Sequence, residues 1–151
     1  MLILSPAFVI RSLSNFLYLT KQNYFKSTQF YRVINNFIIQ GGNSDNRKIA
    51  KKRKKIGKYL LTVDNTHGFK HSRGMVSMPS SIIKNPHKLA SPYEFFIVQS
   101  ETGAHFLDGD YTIFGQVTKG MDVVDEIASV ETDDLDWPVS NIFINNVTVI
   151  K

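Results

Sequence analysis

The chain contains no cysteine, which excludes disulfide scaffolds, thiolate zinc sites and cysteine nucleophiles. It also lacks a long apolar run. The longest stretch before a charge is Met1 to Ile10, and Ser5 and Pro6 interrupt it. A membrane-spanning helix needs roughly 20 apolar residues, so no span is expected. The same stretch has no basic segment before it and no small-x-small cleavage pattern after it, as a secretory signal would have. Internal repeats are absent. No G-x-S-x-G surrounds Ser77, Ser80 or Ser81, which argues against a serine nucleophile. Gly41-Gly42 is too short a pattern for a phosphate loop. His67 and His71 lie four apart with Gly68 between them, His87 and His105 lie elsewhere, and no third ligand has metal spacing. Structural or surface roles are expected for all four. Neither a metal nor an organic cofactor is expected.

What remains is 151 residues, the size of one domain, of which 42% are hydrophobic. That is enough for one packed core, and it argues against an intrinsically disordered chain. The net charge of +5 is local. Of 18 basic residues, eight fall between Arg47 and Lys58, which leaves ten against 13 acidic residues elsewhere. Cations at that density can hold the phosphates of nucleic acid or an anionic lipid surface. The competing reading is a solvated loop inserted between strands. No aromatic residue is interleaved within Arg47 to Lys55, so stacking on single-stranded RNA has little support.

Along the chain, Ser5 to Tyr24 reads as a helix. Ser5 is placed to cap it, Pro6 suits its first turn, and Val9, Leu13, Phe16 and Leu17 form one apolar face. Gln29 to Gln40 is aromatic and β-branched, with Asn35-Asn36 as a turn between two strands. Asn43 to Gly57 reads as a long loop, Tyr59 to Val63 as a short strand and Asn65 to Arg73 as a loop. Met75 to Met78 and Glu94 to Gln99 are further strands, separated by the three-proline loop Pro79 to Pro92. Tyr111 to Val117 is a strand after the Asp108-Gly109 turn. Met121 to Val130 is a second helix with Val123, Ile127 and Val130 as its apolar face, and Asp122 suits its N-terminal end. An acidic loop, Glu131 to Pro138, follows, with Trp137 as a packing anchor. Asn141 to Ile150 is the last strand region, with Ile142/Ile144 and Val147/Val149 alternating. About six strands and two helices result. Consecutive strands without intervening helices favour an antiparallel sheet or barrel over parallel βαβ winding.

Phe30-Tyr31-Arg32-Val33-Ile34-Asn35-Asn36-Phe37-Ile38-Ile39-Gln40-Gly41-Gly42 resembles the F-x-R-V-I-x-x-F-x-x-Q-G-G signature of cyclophilin-type peptidyl-prolyl cis-trans isomerases. Gly74 to Met78 resembles the family's G-x-x-S-M segment, and Glu94 to Ile97 its Q-F-F-I. Phe106 to Gly109 resembles W-L-D-G. Phe114 to Val117 with Gly120 to Val124 resembles F-G-x-V-x-x-G-M-D-V-V. The resemblance runs from about Leu4 to the C-terminus. It implies a mainly β fold, an antiparallel barrel of eight strands closed by two helices. Leu4-Ser5-Pro6 matches the end of the family's second strand. The first strand and most of the second have no counterpart in this chain, so the barrel is expected to be open.

The resemblance implies isomerisation of X-Pro bonds in peptides or unfolded chains, assisting protein folding. Arg32 is the implied catalytic cation, and Gln40 the glutamine that holds the substrate backbone and supports it. Phe37, Ile38, Phe96 and Leu107 match the wall of the proline pocket, beside Met78 and Phe106. Departures from the family pattern are Pro79-Ser80 for alanine-asparagine, Glu94 for glutamine, Phe106 for tryptophan and Tyr111 for histidine. Loss of the indole N–H at Phe106 should weaken binding of cyclosporin-type ligands. Glu94 brings a negative charge that could pair with Arg32, and the loop from Ser80 to Tyr93 is a few residues longer than usual. The alternative is a non-catalytic proline-peptide-binding or chaperone-like module with a degenerate site. The compartment is expected to be the cytoplasm, or the periplasm if the start lies upstream.

Overall fold

A tight turn organises the sheet. Asn36 adopts φ 57°, a left-handed conformation that asparagine tolerates better than most residues. The Phe37 N–H donates to the Ile34 carbonyl at 3.1 Å. This turn joins β2 (Gln29–Ile34) to β3 (Ile38–Asn43), antiparallel. The computed structural model describes residues 2–3, 10–65, 67–80 and 85–150. The predicted helix start at Ser5 and Pro6, the apolar position Val9, the Leu4-Ser5-Pro6 match and Ser81 lie outside the described residues.

The other strands are β1 (Leu2–Ile3), β4 (Met75–Met78), β5 (Phe95–Val98), β6 (Thr112–Val117) and β7 (Ile142–Phe143). They form one sheet in the order β1-β6-β4-β5-β3-β2-β7, with every pairing antiparallel. Among the described residues the end strands β1 and β7 do not pair, so the sheet is that of an open barrel. Two-residue β7 leaves most of the β2 edge uncovered. The loop after the last helix covers part of it, with the Val33 N–H donating to the Asp136 carbonyl at 2.8 Å.

Alternation decides the two faces. Val33, Ile39, Ile97 and Val76 stand in register across four strands. On this face Val33 and Ile39 pack against Val124 and Ala128 of α3 (Met121–Ala128). Val76, Phe95 and Phe114 pack against Phe16 and Leu19 of α1 (Ile10–Lys21). The neighbouring row, Arg32, Gln40, Phe96 and Ser77, is also in register and faces the opposite way.

Several expectations need correction. The cationic stretch is a helix, α2 (Arg47–Ile56), not a loop. Lysine and arginine are good helix formers. Asn46 caps the start, its side chain accepting from the Lys48 N–H at 2.9 Å, and Gly57 closes the end. Ile49 and Ile56, seven apart, anchor one face in the core. The signals were present, but charge density masked them. Among the described residues three α-helices therefore replace the expected two, with a 3-10 turn at His105–Leu107. Tyr59 to Val63 is not a strand, because only Leu61 forms a bridge, to Ala90. The last strand is confined to Ile142–Phe143, and Val149 is exposed.

The helix faces are rotated from those expected. In α1, Ser12, Asn15, Phe16, Leu19 and Thr20 are buried, while Leu13 and Leu17 are half-buried. The Asn15 amide donates to the Pro92 carbonyl (2.7 Å) and its oxygen accepts from the Tyr59 hydroxyl (2.7 Å), so this polar residue is satisfied on the core side. In α3, Val124 is buried and Val123 is exposed. Strand β3 continues through Gly41-Gly42 to Asn43 instead of stopping at Gln40. A Cβ at Gly42, where φ is 97°, would collide with the Tyr93 carbonyl oxygen, so close packing requires glycine there.

Candidate active site

The site is built on a β-bulge. Phe30 pairs with Gly41 and Arg32 with Gln40, so Tyr31 is an extra residue in β2. Tyr31 and Arg32 consequently both stand beside Gln40. The Tyr31 hydroxyl accepts a short hydrogen bond from Gln40 Nε2 and donates to Glu94 Oε1 at 3.3 Å. Glu94 Oε1 also accepts from Asn43 Nδ2 at 2.9 Å and lies 3.6 Å from Arg53 of α2. Burial first, and then the Glu94 charge, push the Tyr31 phenol well above its ordinary value, so its hydroxyl keeps its proton.

Arg32 lies at the open edge of this row. Its Nη2 is 3.3 Å from Asp136 Oδ2, and both side chains are about two-fifths exposed. The expected pairing of Glu94 with Arg32 does not form, because Arg53 and Asn43 hold Glu94 on the other side of Tyr31. Trp137, expected as a packing anchor, packs edge-on against the Tyr31 ring at 6.4 Å while staying half-exposed.

A candidate apolar groove, Phe37, Phe106 and Tyr111 over a buried cluster, adjoins the row. Ile38, Phe96, Val98, Ala104 and Leu107 form one buried cluster, with Phe37, Met75 and Tyr111 packed against it. Phe106 projects from the 3-10 turn, 74% exposed, and stacks on Phe37 at 5.3 Å. Phe96 is the floor, with Tyr111 edge-on at 6.0 Å. The fold thus brings Phe37, Ile38, Phe96, Phe106, Leu107 and Tyr111 together beside Arg32 and Gln40. Met78 is not part of this group, since it is buried in the core cluster beneath α1. Pro79 is buried, and its carbonyl accepts from the Ser91 N–H at 2.8 Å. Ser80 Oγ accepts from the Asn85 amide at 3.1 Å, at the base of the following loop.

Behind the groove floor lies a support that sequence reasoning did not single out. His71 is 1% exposed and stacks on Phe96 at 5.9 Å. Its backbone N–H donates to Asp108 Oδ1 (2.7 Å), and its Nδ1 lies 2.8 Å from the same oxygen. Burial, opposed by Asp108, lowers the imidazole below its ordinary value. Desolvation would raise the Asp108 carboxyl, but hydrogen bonds from His71 and His105 outweigh it and bring it down to about 2. The carboxylate only accepts, so Nδ1 carries the proton. The signal was the L-D-G turn lying within reach of K-H-S, which spacing alone cannot reveal.

An open antiparallel sheet sets Arg32 and Gln40 in register beside an aromatic cluster. The comparisons with known proteins identify the family. The family model described as "Cyclophilin type peptidyl-prolyl cis-trans isomerase/CLD" matches residues 7–149. Peptidyl-prolyl cis-trans isomerase CYP18-2 of Arabidopsis thaliana is 32% identical over 93% of this chain and 80% of its own length. Peptidyl-prolyl cis-trans isomerase B of Escherichia coli is 30% identical over 91% of this chain and 85% of its own. A Cryptosporidium parvum cyclophilin type peptidyl-prolyl cis-trans isomerase, solved in the presence of the dipeptide Ala-Pro, superposes with TM-score 0.79 at 26% identity. That superposition covers 99% of this chain and 91% of the other. The chain belongs to the cyclophilin-type peptidyl-prolyl cis-trans isomerase family, whose reaction is rotation about X-Pro bonds.

Proposed function

We propose that the groove binds proline-containing segments of peptides or unfolded chains and that Arg32 catalyses rotation of the X-Pro bond. The barrier to that rotation is roughly 18–20 kcal/mol, and no covalent step is needed to cross it. The prolyl ring would sit against Phe37, above the buried Phe96 and Leu107. Arg32 would donate toward the prolyl nitrogen, favouring its pyramidal form in the twisted transition state over the planar ground state. The observation that carries this reading is the register Arg32–Gln40–Phe96, which sets the cation, the amide and the pocket floor side by side on three adjacent strands. Asp136 occupies one arm of a five-donor fork in an exposed ion pair, which is worth little in water and leaves the other donors for substrate. The separation of Glu94 from Arg32 removes one reason to read the site as degenerate.

Exchange NMR on a short X-Pro peptide tests it. The wild type should catalyse exchange, and Arg32→Ala should lose about 100-fold or more in kcat/KM with the fold intact, the scale of losing a principal transition-state donor. A folded wild type that shifts peptide resonances without catalysing exchange would establish the binding-module alternative instead.

A second partner reading concerns α2. Arg47, Lys48, Lys51, Lys54 and Lys55 are exposed on this helix, and Lys58 is exposed just beyond it. Among the described residues, Arg53 makes the helix's single ion pair, with Glu94. Such a face fits the phosphates of nucleic acid or an anionic surface. Polynucleotide affinity that falls steeply with salt would support it, and no binding at low salt would remove it.

A further inference from the structure

We infer that Tyr31 and Glu94 are positioning residues that fix which end of the Gln40 side-chain amide faces Arg32. This rests on the isomerase reading of the site, and it concerns residues at which the chain departs from the family pattern or which that pattern leaves open. The argument is one of donors and acceptors. The Glu94 carboxylate is paired with Arg53 and accepts from Asn43, so toward Tyr31 it can only accept. The single proton of the Tyr31 hydroxyl therefore goes to Glu94. The lone pairs of that hydroxyl are then available only to a donor, and the group beside them is the Gln40 amide. Nε2 must point at Tyr31. Oε1 must point away from it, as an acceptor on the face that Gln40 shares in register with Arg32.

A glutamine amide has two nearly isosteric orientations, and the wrong one would set N–H groups against a guanidinium that also only donates. The chain Arg53–Glu94–Tyr31–Gln40 removes that ambiguity with one ion pair and two hydrogen bonds, and Glu94, its central carboxylate, is 16% exposed. It also ties the site to α2, whose Arg53 lies 5.1 Å from the Tyr93 ring and donates to the Tyr24 hydroxyl at 2.7 Å. Neither Tyr31 nor Glu94 need touch the substrate. They act through Gln40.

Tyr31→Phe deletes the hydroxyl and little else. It should lower kcat about fivefold, the worth of one net hydrogen bond, with KM within about twofold and the melting temperature lower by about 2–4 °C at most. In 1H–15N spectra the Gln40 side-chain amide protons should move and exchange faster with solvent. Glu94→Gln frees the Tyr31 proton to point either way and should show a smaller effect of the same kind. In the Tyr31→Phe background Glu94→Gln should cost nothing further in kcat, because its influence passes through the missing hydroxyl. The proposal is overturned if Tyr31→Phe leaves kcat and the Gln40 amide resonances at wild-type values, or if the two substitutions add. If the wild type is not an isomerase, the function proposed above fails, and the amide resonances of Gln40 alone decide whether this arrangement exists.

Discussion

The two faces of the central strands are built from consecutive residues, yet they do different work. On β2 and β3 the residues Val33 and Ile39 lie under α3, while Arg32 and Gln40, one step away on each strand, lie on the groove. The inner row is wholly apolar and its contribution is burial. The outer row mixes a cation, an amide, an aromatic ring and a hydroxyl, and its contribution is orientation. A sheet separates stability from chemistry at a spacing of one residue because the side-chain period is two. The bulge at Tyr31 breaks this period, and it adds a second polar residue beside Gln40.

This separation can be broken from either side. Ile39 is fully buried between β2, β5 and α3, so Ile39→Ala should cost about 2–5 kcal/mol in urea unfolding. The kcat of the remaining folded protein should change little. Loss of kcat in parallel with stability would show that the two faces are not independent. Phe37→Ala acts on the outer face, removing a half-buried wall that Phe106 also stacks on. KM for an X-Pro peptide should rise about tenfold with kcat nearly kept, since ground-state and transition-state contacts to the proline ring are lost alike.

The smallest effect is electrostatic and joins the two faces at the floor of the groove. The folded protein holds His71 below its ordinary value, so the unfolded chain takes up a proton first as pH falls. Melting temperature should therefore decline from about pH 7 toward pH 5, and the His71 ring resonances should titrate at a lower pH than those of a free imidazole. Asp108 has the usual carboxylate sign. Its folded value of about 2 lies below the ordinary one, so its contribution is present above the ordinary carboxylate range and is lost as pH falls through about 2. A His71 signal that titrates normally would mean that the stack on Phe96 opens in solution.

Much of the fold could be read from the chain alone. The Asn35-Asn36 turn, the strands at Met75–Met78 and near Phe95–Val98, and the helix opening at Met121 follow from local chemistry: positive φ at asparagine, β-branched and aromatic runs, and an acidic residue in a first turn. The motif residues around Arg32 and Phe37 were legible as a set because short-range sequence preserves their spacing along β2 and β3. The sequence of α2 held its cap, its anchors and its stop, and a reading weighted by charge passed over them. Local sequence also determined that Tyr31, Arg32 and Gln40 would be near one another, since a hairpin with a three-residue connection leaves few other pairings.

Only the tertiary structure decided which charge met which. Glu94 and Arg32 are 62 positions apart, and nothing in their spacing states that Arg53 would claim the carboxylate and Asp136 the guanidinium. Nor does it state that Met78 would face the core, that Val123 would face water, or that His71 would back Phe96. Ion pairs and side-chain stacks between distant segments depend on the angle at which layers pack and on which side of a bulge a residue emerges. Those are properties of the whole sheet, fixed after the local elements have formed. The sequence therefore determined the strands, the turn and the chemical vocabulary of the site, while packing chose the partners.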